Sequence, residues 1–195
     1  MSDLLLRFPE PRDAAAVYAA VRESLPELHA WMSWCGMDYS LGDAERWVEM
    51  QSRARETGAA FEFLIVDGAG RMLGCCGVNQ ISAAYRLANF GYWVRTSMAG
   101  RGVATAAGRQ LVDWAFLQTD LERLEIVAAV GNRASQAVAA KLGALREGVL
   151  RSRLLVHGRF QDAVLFSILR TDSRVDAAAS GAAGGSKSGA RAAVS

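Results

Sequence analysis

Residues 88–104 read ANFGYWVRTSMAGRGVA, and the fold turns on this stretch. Ala88 to Val94 is apolar and aromatic, holds no proline, and reads as a strand. From Val103 to about Leu117, the residues Ala107, Leu111, Trp114 and Ala115 share one apolar helical face. Between strand and helix lie Gly100, Arg101 and Gly102. A strand, a glycine-bearing turn and a helix start gather backbone N–H groups at a helix amino terminus, where the dipole also favours an anion. Gly100 and Gly102 permit positive φ and close approach of a ligand, and Arg101 adds a charge within reach of a pyrophosphate. The stretch lacks the Lys-Ser/Thr of a Walker loop, and Thr105 stands where a dinucleotide fold has its third glycine. Taken alone it leaves two readings open, an anion cradle or a surface turn before a helix.

Upstream, Leu4 to Phe8 reads as a short strand and Arg12 to Ser24 as a helix opened by Asp13 after Pro9 and Pro11. A second helical region covers Leu25 to Trp34 and, after a loop from Asp38 to Gly42, resumes with Asp43 as cap of Ala44 to Arg55. The period then changes from about 3.6 to 2: Phe61 to Val66 is a strand, Asp67-Gly68-Ala69-Gly70 a hairpin turn, and Arg71 to Ile81 its partner. Downstream, Leu124 to Val130 is an apolar strand, Asn132 to Leu142 a short helix stopped at Gly143, and Leu150 to Val156 and Phe160 to Leu169 a hairpin turning at His157-Gly158. The helical crossover from the Ala88 strand to the Leu124 strand makes that pair parallel. The sum is an α+β domain with a mixed, mostly antiparallel sheet flanked by helices.

The 195 residues, 51% apolar and with a net charge of +2, suit one globular domain over 1–171 and no nucleic-acid partner. From 172 to 195 the chain is Ala, Gly and Ser with scattered charge and no aromatic residue, which predicts a disordered tail. Cys35, Cys75 and Cys76 make no disulfide framework and read as reduced core residues, and no stretch has the pattern of a signal peptide or membrane span. A cytoplasmic location without membrane contact is the expectation. His29 and His157 lie in separate elements with no ligand spacing, so no metal is expected.

The segment Gly131-Asn132-Arg133-Ala134-Ser135-Gln136-Ala137-Val138-Ala139-Ala140-Lys141-Leu142-Gly143-Ala144 resembles the Asn-x-x-Ser-x-x-Val-x-x-Lys-Leu-Gly-Phe pattern of GNAT acetyltransferases. With Phe90-Gly91-Tyr92-Trp93-Val94 leading into the glycine loop, and Leu28-His29-Ala30-Trp31-Met32-Ser33-Trp34 earlier, the chain is similar to the RimJ/RimL branch. The likeness spans about Leu4 to Arg170. It implies a parallel strand pair that splays to hold acetyl-CoA, and direct transfer of the acetyl group to a primary amine. The acceptor is then a protein α-amino terminus or, as in relatives, a small amine such as a polyamine or aminoglycoside. A non-catalytic acyl-CoA-binding module is the other reading, and the resemblance leaves monomer or homodimer open.

On that resemblance Trp93, Val94, Ala99, Gly100, Arg101, Gly102, Val103, Ala104, Thr105, Asn132, Ser135 and Lys141 contact the cofactor. A backbone N–H near Trp93 meets the oxyanion. The family's loop reads Gln/Arg-x-x-Gly-x-Gly/Ala, and Ala99 departs from it, with Arg101 as a substitute contact. Ser135 is the candidate proton donor to the leaving thiolate, or merely part of a turn capped by Asn132. Glu62, between Phe61 and Phe63, is the candidate base, or a solvent-facing strand position. His29, Trp34, Asp38, Tyr39 and Asn79 are candidate acceptor contacts.

Overall fold

The computed structural model describes residues 4–173. Seven strands form one sheet in the order β1-β2-β3-β4-β5-β7-β6. They are β1 (Leu5–Arg7), β2 (Phe61–Val66), β3 (Met72–Ser82), β4 (Leu87–Val94), β5 (Arg123–Ala129), β6 (Leu145–Val156) and β7 (Arg159–Leu169). The helices are α1 (Ala14–Glu23), α2 (Leu25–Trp31), α3 (Leu41–Glu56), α4 (Val103–Gln118) and α5 (Arg133–Lys141). Every pairing is antiparallel except β4 with β5, joined by α4 as the crossover rule requires. The expected α+β architecture is the one observed.

Two apolar layers follow from the alternation of strand side chains. On one face Phe63, Ile65, Cys76, Val78, Phe90, Leu124 and Ile126 pack against Ala107, Leu111, Ala115 and Phe116 of α4. On the other, Leu64, Val66, Met72 and Cys75 pack against α1, α2 and α3. Cys75 and Cys76 therefore enter opposite layers, and all three cysteines are free and buried.

Local starts differ from the sequence reading where a side chain has a better use. Helix α3 opens at Leu41, not at Ala44, because Ser40 is its cap: Ser40 Oγ accepts from Asp43 N at 3.3 Å and Asp43 Oδ2 accepts from Ser40 N at 2.8 Å. Asp43 is thus the third-residue partner of a capping box. Asp13 stands at the N-cap position of α1, as expected, but its side chain is turned back to other partners. It receives both terminal nitrogens of Arg7, at 2.7 and 2.6 Å, and Glu10 N at 2.8 Å, fixing a 3-10 turn at Pro11–Asp13 ahead of α1. Strand β6 begins at Leu145 rather than Leu150, held by Glu147, whose carboxylate takes Arg123 at 2.7 and 2.6 Å and Ser167 Oγ at 2.6 Å. After β7, a 3-10 turn at Arg170–Asp172 and buried Ser173 close the described residues. The rest of the expected tail, 174–195, lies outside the described residues.

One contact sets the helical layer in register with the loop after β4. Ser24, fully buried at the α1–α2 junction, accepts from Thr96 N at 3.0 Å, while Glu23 accepts from Ser97 N at 3.2 Å and pairs with Arg95 at 3.0 Å. Replacing Ser24 by Ala leaves the Thr96 N–H without its acceptor. Urea unfolding of Ser24→Ala is expected to show a loss of about 1 kcal/mol.

Candidate active site

The pairing of β4 with β5 covers Leu87↔Arg123, Ala88↔Leu124 and Asn89↔Glu125 and then ceases. Beyond it, β4 stays with β3 up to Gly74↔Val94, and β5 stays with β7 up to Ala129↔Ala163. The two strands part because each keeps its other neighbour. The gap opens into a cleft of about 690 Å³ whose wall includes Glu62, Asn79, Gly91, Tyr92, Trp93, Ala128, Asn132 and Ser135. Backbone groups of β4 and β5 that a continuous sheet would pair are left for a ligand.

At the end of β4, Gly102 is the N-cap of α4 with φ +79°, and Gly100 has φ +72°. Both sit in the left-handed region that favours glycine, and a side chain at Gly100 would meet nothing within 4 Å, so conformation rather than crowding requires it. The side chains of Val103 and Thr105 turn into the core while Ala99, Gly100, Arg101 and Gly102 remain exposed. The first N–H groups of α4 have no intrahelical acceptor and face outward, as an anion site needs. Ala99 brings a methyl group, and Arg101 forms no ion pair among the described residues. Lys141 lies in the last turn of α5, beside a second, smaller hollow with Arg109, and does not line the main cleft.

Glu62 points to the α1–α3 side of the sheet, opposite Gly77, which is opposite Gly91. The two glycines leave a trough across β3 and β4. A Cβ at Gly77 would collide with the Glu62 carboxylate and approach Phe61 O to 2.6 Å. Burial pushes the Glu62 carboxyl above its ordinary value, against the opposing pull of Asn79. Asn79 Nδ2 donates to Glu62 Oε1 at 2.8 Å, and Asn89 Nδ2 donates to Asn79 Oδ1 at 2.9 Å. Asn79, expected as an acceptor contact, thus orients Glu62 and is itself oriented by Asn89 from β4.

Across β4, on the α4 side, Asn132 Oδ1 accepts from Ser135 N at 3.0 Å and so caps α5. Tyr92 Oη lies 2.9 Å from Ser135 O and 2.8 Å from Ser135 Oγ. The carbonyl can only accept, so the phenol is the donor to it, while between the two hydroxyls either oxygen can be the donor. Burial raises the Tyr92 phenol to about 12, with Ser135 pulling the other way. Tyr92 was legible in the sequence only as a strand residue. Its alternation with Trp93 puts the two rings on opposite faces, and that alternation was the available signal.

The other cleft wall comes from the helical layer. Trp34 lies 6.0 Å from the ring of Tyr39 and 6.3 Å from that of Trp93, and all three line the cleft. His29 and Asp38 do not line it. His29 Nδ1 donates to Cys35 O at 2.8 Å, its ring stacks on His157 at 3.9 Å, and His157 Nε2 donates to His29 O at 3.0 Å. The two histidines that look unrelated in sequence therefore pin the β6–β7 turn to α2. Among the described residues no group of three or more His, Cys, Asp or Glu could hold a metal ion.

Two outcomes follow from the seat of Glu62. Gly77→Ala displaces the carboxylate from Asn79 and crowds Phe61 O, and is expected to cost about 1–3 kcal/mol of stability, read by urea unfolding. Because the folded carboxyl is raised, Glu62 favours the fold fully only below its unfolded value of 4.5 and progressively less as pH climbs through the folded value. Glu62→Gln is therefore expected to gain stability over the parent as pH rises from 4 to 8, with the difference vanishing at the acid end, read by urea unfolding across that range.

Comparison with known proteins agrees with this geometry. The family model described as an acetyltransferase (GNAT) domain matches residues 3–145. YdaF of Bacillus subtilis strain 168, provisionally named a ribosomal N-acetyltransferase, is 29% identical over 171 residues, 87% of this chain and 92% of YdaF. The ribosomal-protein-serine acetyltransferase of Escherichia coli K12 is 24% identical over 151 residues, 77% of this chain and 84% of that enzyme. The structure of Mycobacterium smegmatis RimJ in complex with CoA-disulfide superposes with a TM-score of 0.82 at 29% identity, covering 91% of this chain and 90% of RimJ. A strand pair that parts over a glycine-capped helix start and the family match over most of the domain lead to one conclusion: the chain belongs to the GNAT acetyltransferase family, on its RimJ/RimL-like side, and is an acetyl-CoA-dependent N-acetyltransferase.

Proposed function

We propose that this enzyme acetylates the α-amino terminus of a protein, with Glu62 as base and Ser135 as the group that meets the leaving sulfur. The observation that carries the reading is the placement of these two side chains on opposite faces of β4, beside the opening between β4 and β5. The residues present fit coenzyme A: outward N–H groups from Gly100 to Ala104 for its pyrophosphate, the β4–β5 gap for its arm, and Asn132 and Ser135 beside the gap. When bound, acetyl-CoA supplies an acetyl group already activated as a thioester.

The chain's own residues then divide the proton work. A peptide amino terminus has a pKa near ~8 and a lysine side chain near ~10.4, so a carboxylate raised by burial can deprotonate the first with far less cost than the second. Asn79 holds one Glu62 oxygen and leaves the other toward the trough over Gly77. At the other face Ser135 offers a hydroxyl hydrogen at the sulfur end. Tyr92 stands behind that hydroxyl. Its part is to hold Ser135, through one contact to the backbone carbonyl and one to the hydroxyl. The names of YdaF and the E. coli enzyme, both ribosomal, support a protein acceptor. Three buried, unpaired cysteines suit the reducing cytoplasm, where we place the enzyme as monomer or homodimer.

The test is thiol release from acetyl-CoA with peptides, polyamines and aminoglycosides as acceptors. Peptide amino termini are expected to give the highest kcat/KM. Cofactor binding with no thiol release on any amine overturns the reading and leaves an acyl-CoA-binding module. Ser135→Ala is expected to slow transfer about ten- to a thousandfold. Tyr92→Phe is expected to lower kcat about three- to tenfold while the Kd for coenzyme A, measured by calorimetry, stays put.

A further inference from the structure

The charges along the cleft do not match a polycationic acceptor. Four charged side chains line it, Asp43, Glu62, Arg46 and Arg153. Asp43 is occupied by Arg46 and by the capping box of α3, and Glu62 sits half-buried with Asn79. Arg153 forms no ion pair among the described residues. Of the two acids of its hairpin, Glu147 is taken by Arg123 and Ser167, and Asp162 accepts from Ser152 N at 2.8 Å. The same hairpin exposes Arg151 and Arg159. His157, stacked on His29, fastens the hairpin tip to α2, so the run from Arg153 to Val156 lies along the cleft wall facing the helical layer. Leu155 and Phe160, directly opposite each other and 51% and 69% exposed, extend that wall outward.

Resting on the acetyltransferase reading above, we infer that Arg153 selects the acceptor: an amino terminus followed, within its first three residues, by a carboxylate side chain. An amine held at Glu62 leaves the next residues of an extended chain, at about 3.3–3.6 Å each, to run toward the rim. There Arg153 meets a carboxylate with a charge-assisted contact and repels an ammonium group. A polyamine brings a second cation to the same place, where no carboxylate is free to take it. Arg153 is thus a specificity-determining residue, with no part in moving the acetyl group.

The experiment uses the full chain, acetyl-CoA and hexapeptides that begin Ala-Glu-Glu, Ala-Gln-Gln or Ala-Lys-Lys and are otherwise identical, with spermidine as a fourth acceptor. The expected kcat/KM for the acidic peptide exceeds that for the neutral one by about tenfold, equivalent to 1.4 kcal/mol, and the basic peptide and spermidine fall below both. In Arg153→Ala the acidic-to-neutral ratio falls to about one, and in Arg153→Glu it inverts; each ratio is internal to one variant, so altered overall activity does not affect it. Calorimetry with the unreactive N-acetylated peptides gives the same ranking by binding alone. A flat ranking in both measurements, a ratio that Arg153→Glu leaves unmoved, or spermidine as the best acceptor overturns the inference. Absent thiol release on every amine defeats the transfer reading instead, and the calorimetric ranking then still decides the charge preference.

Discussion

The site depends on one constraint: two parallel strands are paired for three residues and then forced apart because each is held on its far side. β3 keeps β4 to Val94 and β7 keeps β5 to Ala129, so the cost of unpaired backbone in the middle of a sheet is fixed into the native fold. Buried N–H and C=O groups left without partners are expensive, which makes the gap a place where a ligand's own amides and carbonyls are worth more than elsewhere. The same divergence lets α4 start at its mouth and α5 approach from the other side. Neither helix could reach the reacting centre if β4 and β5 remained zipped.

The alternation of β4 converts that gap into a two-sided site. Asn89, Gly91 and Trp93 follow the face of Glu62, while Phe90 and Tyr92 follow the face of α4. A single strand therefore separates Glu62 from the Tyr92–Ser135 pair. Each side has its own neighbours: burial and Asn79 for Glu62, and the Ser135 contact set against burial for Tyr92. The two glycines beside Glu62 are as necessary as the carboxylate, since the trough exists only where Cβ atoms are missing.

Local pattern carried most of the architecture. The period change near Phe61, the apolar run at Leu124 and the glycine loop placed the strands, the crossover and the parallel pair, because each is written in neighbouring residues. The errors came where two local solutions compete, as at Ser40 and Asp43, which both suit a helix start and in fact share one. The partners of the site residues were out of reach for a different reason. That Asn79 would turn to Glu62, that Tyr92 would meet Ser135, and that His29 would stack on His157 depends on register and on contacts between elements far apart in sequence. The strand alternation held part of this information, and the sheet order supplied the rest.

The electrostatics of the cleft argue for a division between depth and rim. A carboxylate-bearing acceptor approaching ionised Glu62 feels a repulsion of roughly 1.7 kcal/mol at about 10 Å under an effective dielectric of 20. A guanidinium at comparable range offsets that term, and one at hydrogen-bonding distance more than offsets it. Arg46 cannot serve, because its charge is spent on Asp43 within α3. Arg153 can, because the acids of its own hairpin are engaged with Arg123, Ser167 and the backbone of Ser152. The hairpin's internal pairing, which fastens β6 to the sheet through Glu147, is therefore also what leaves a positive rim over a negative floor. A single ammonium with a carboxylate behind it fits that gradient in one orientation, amine inward.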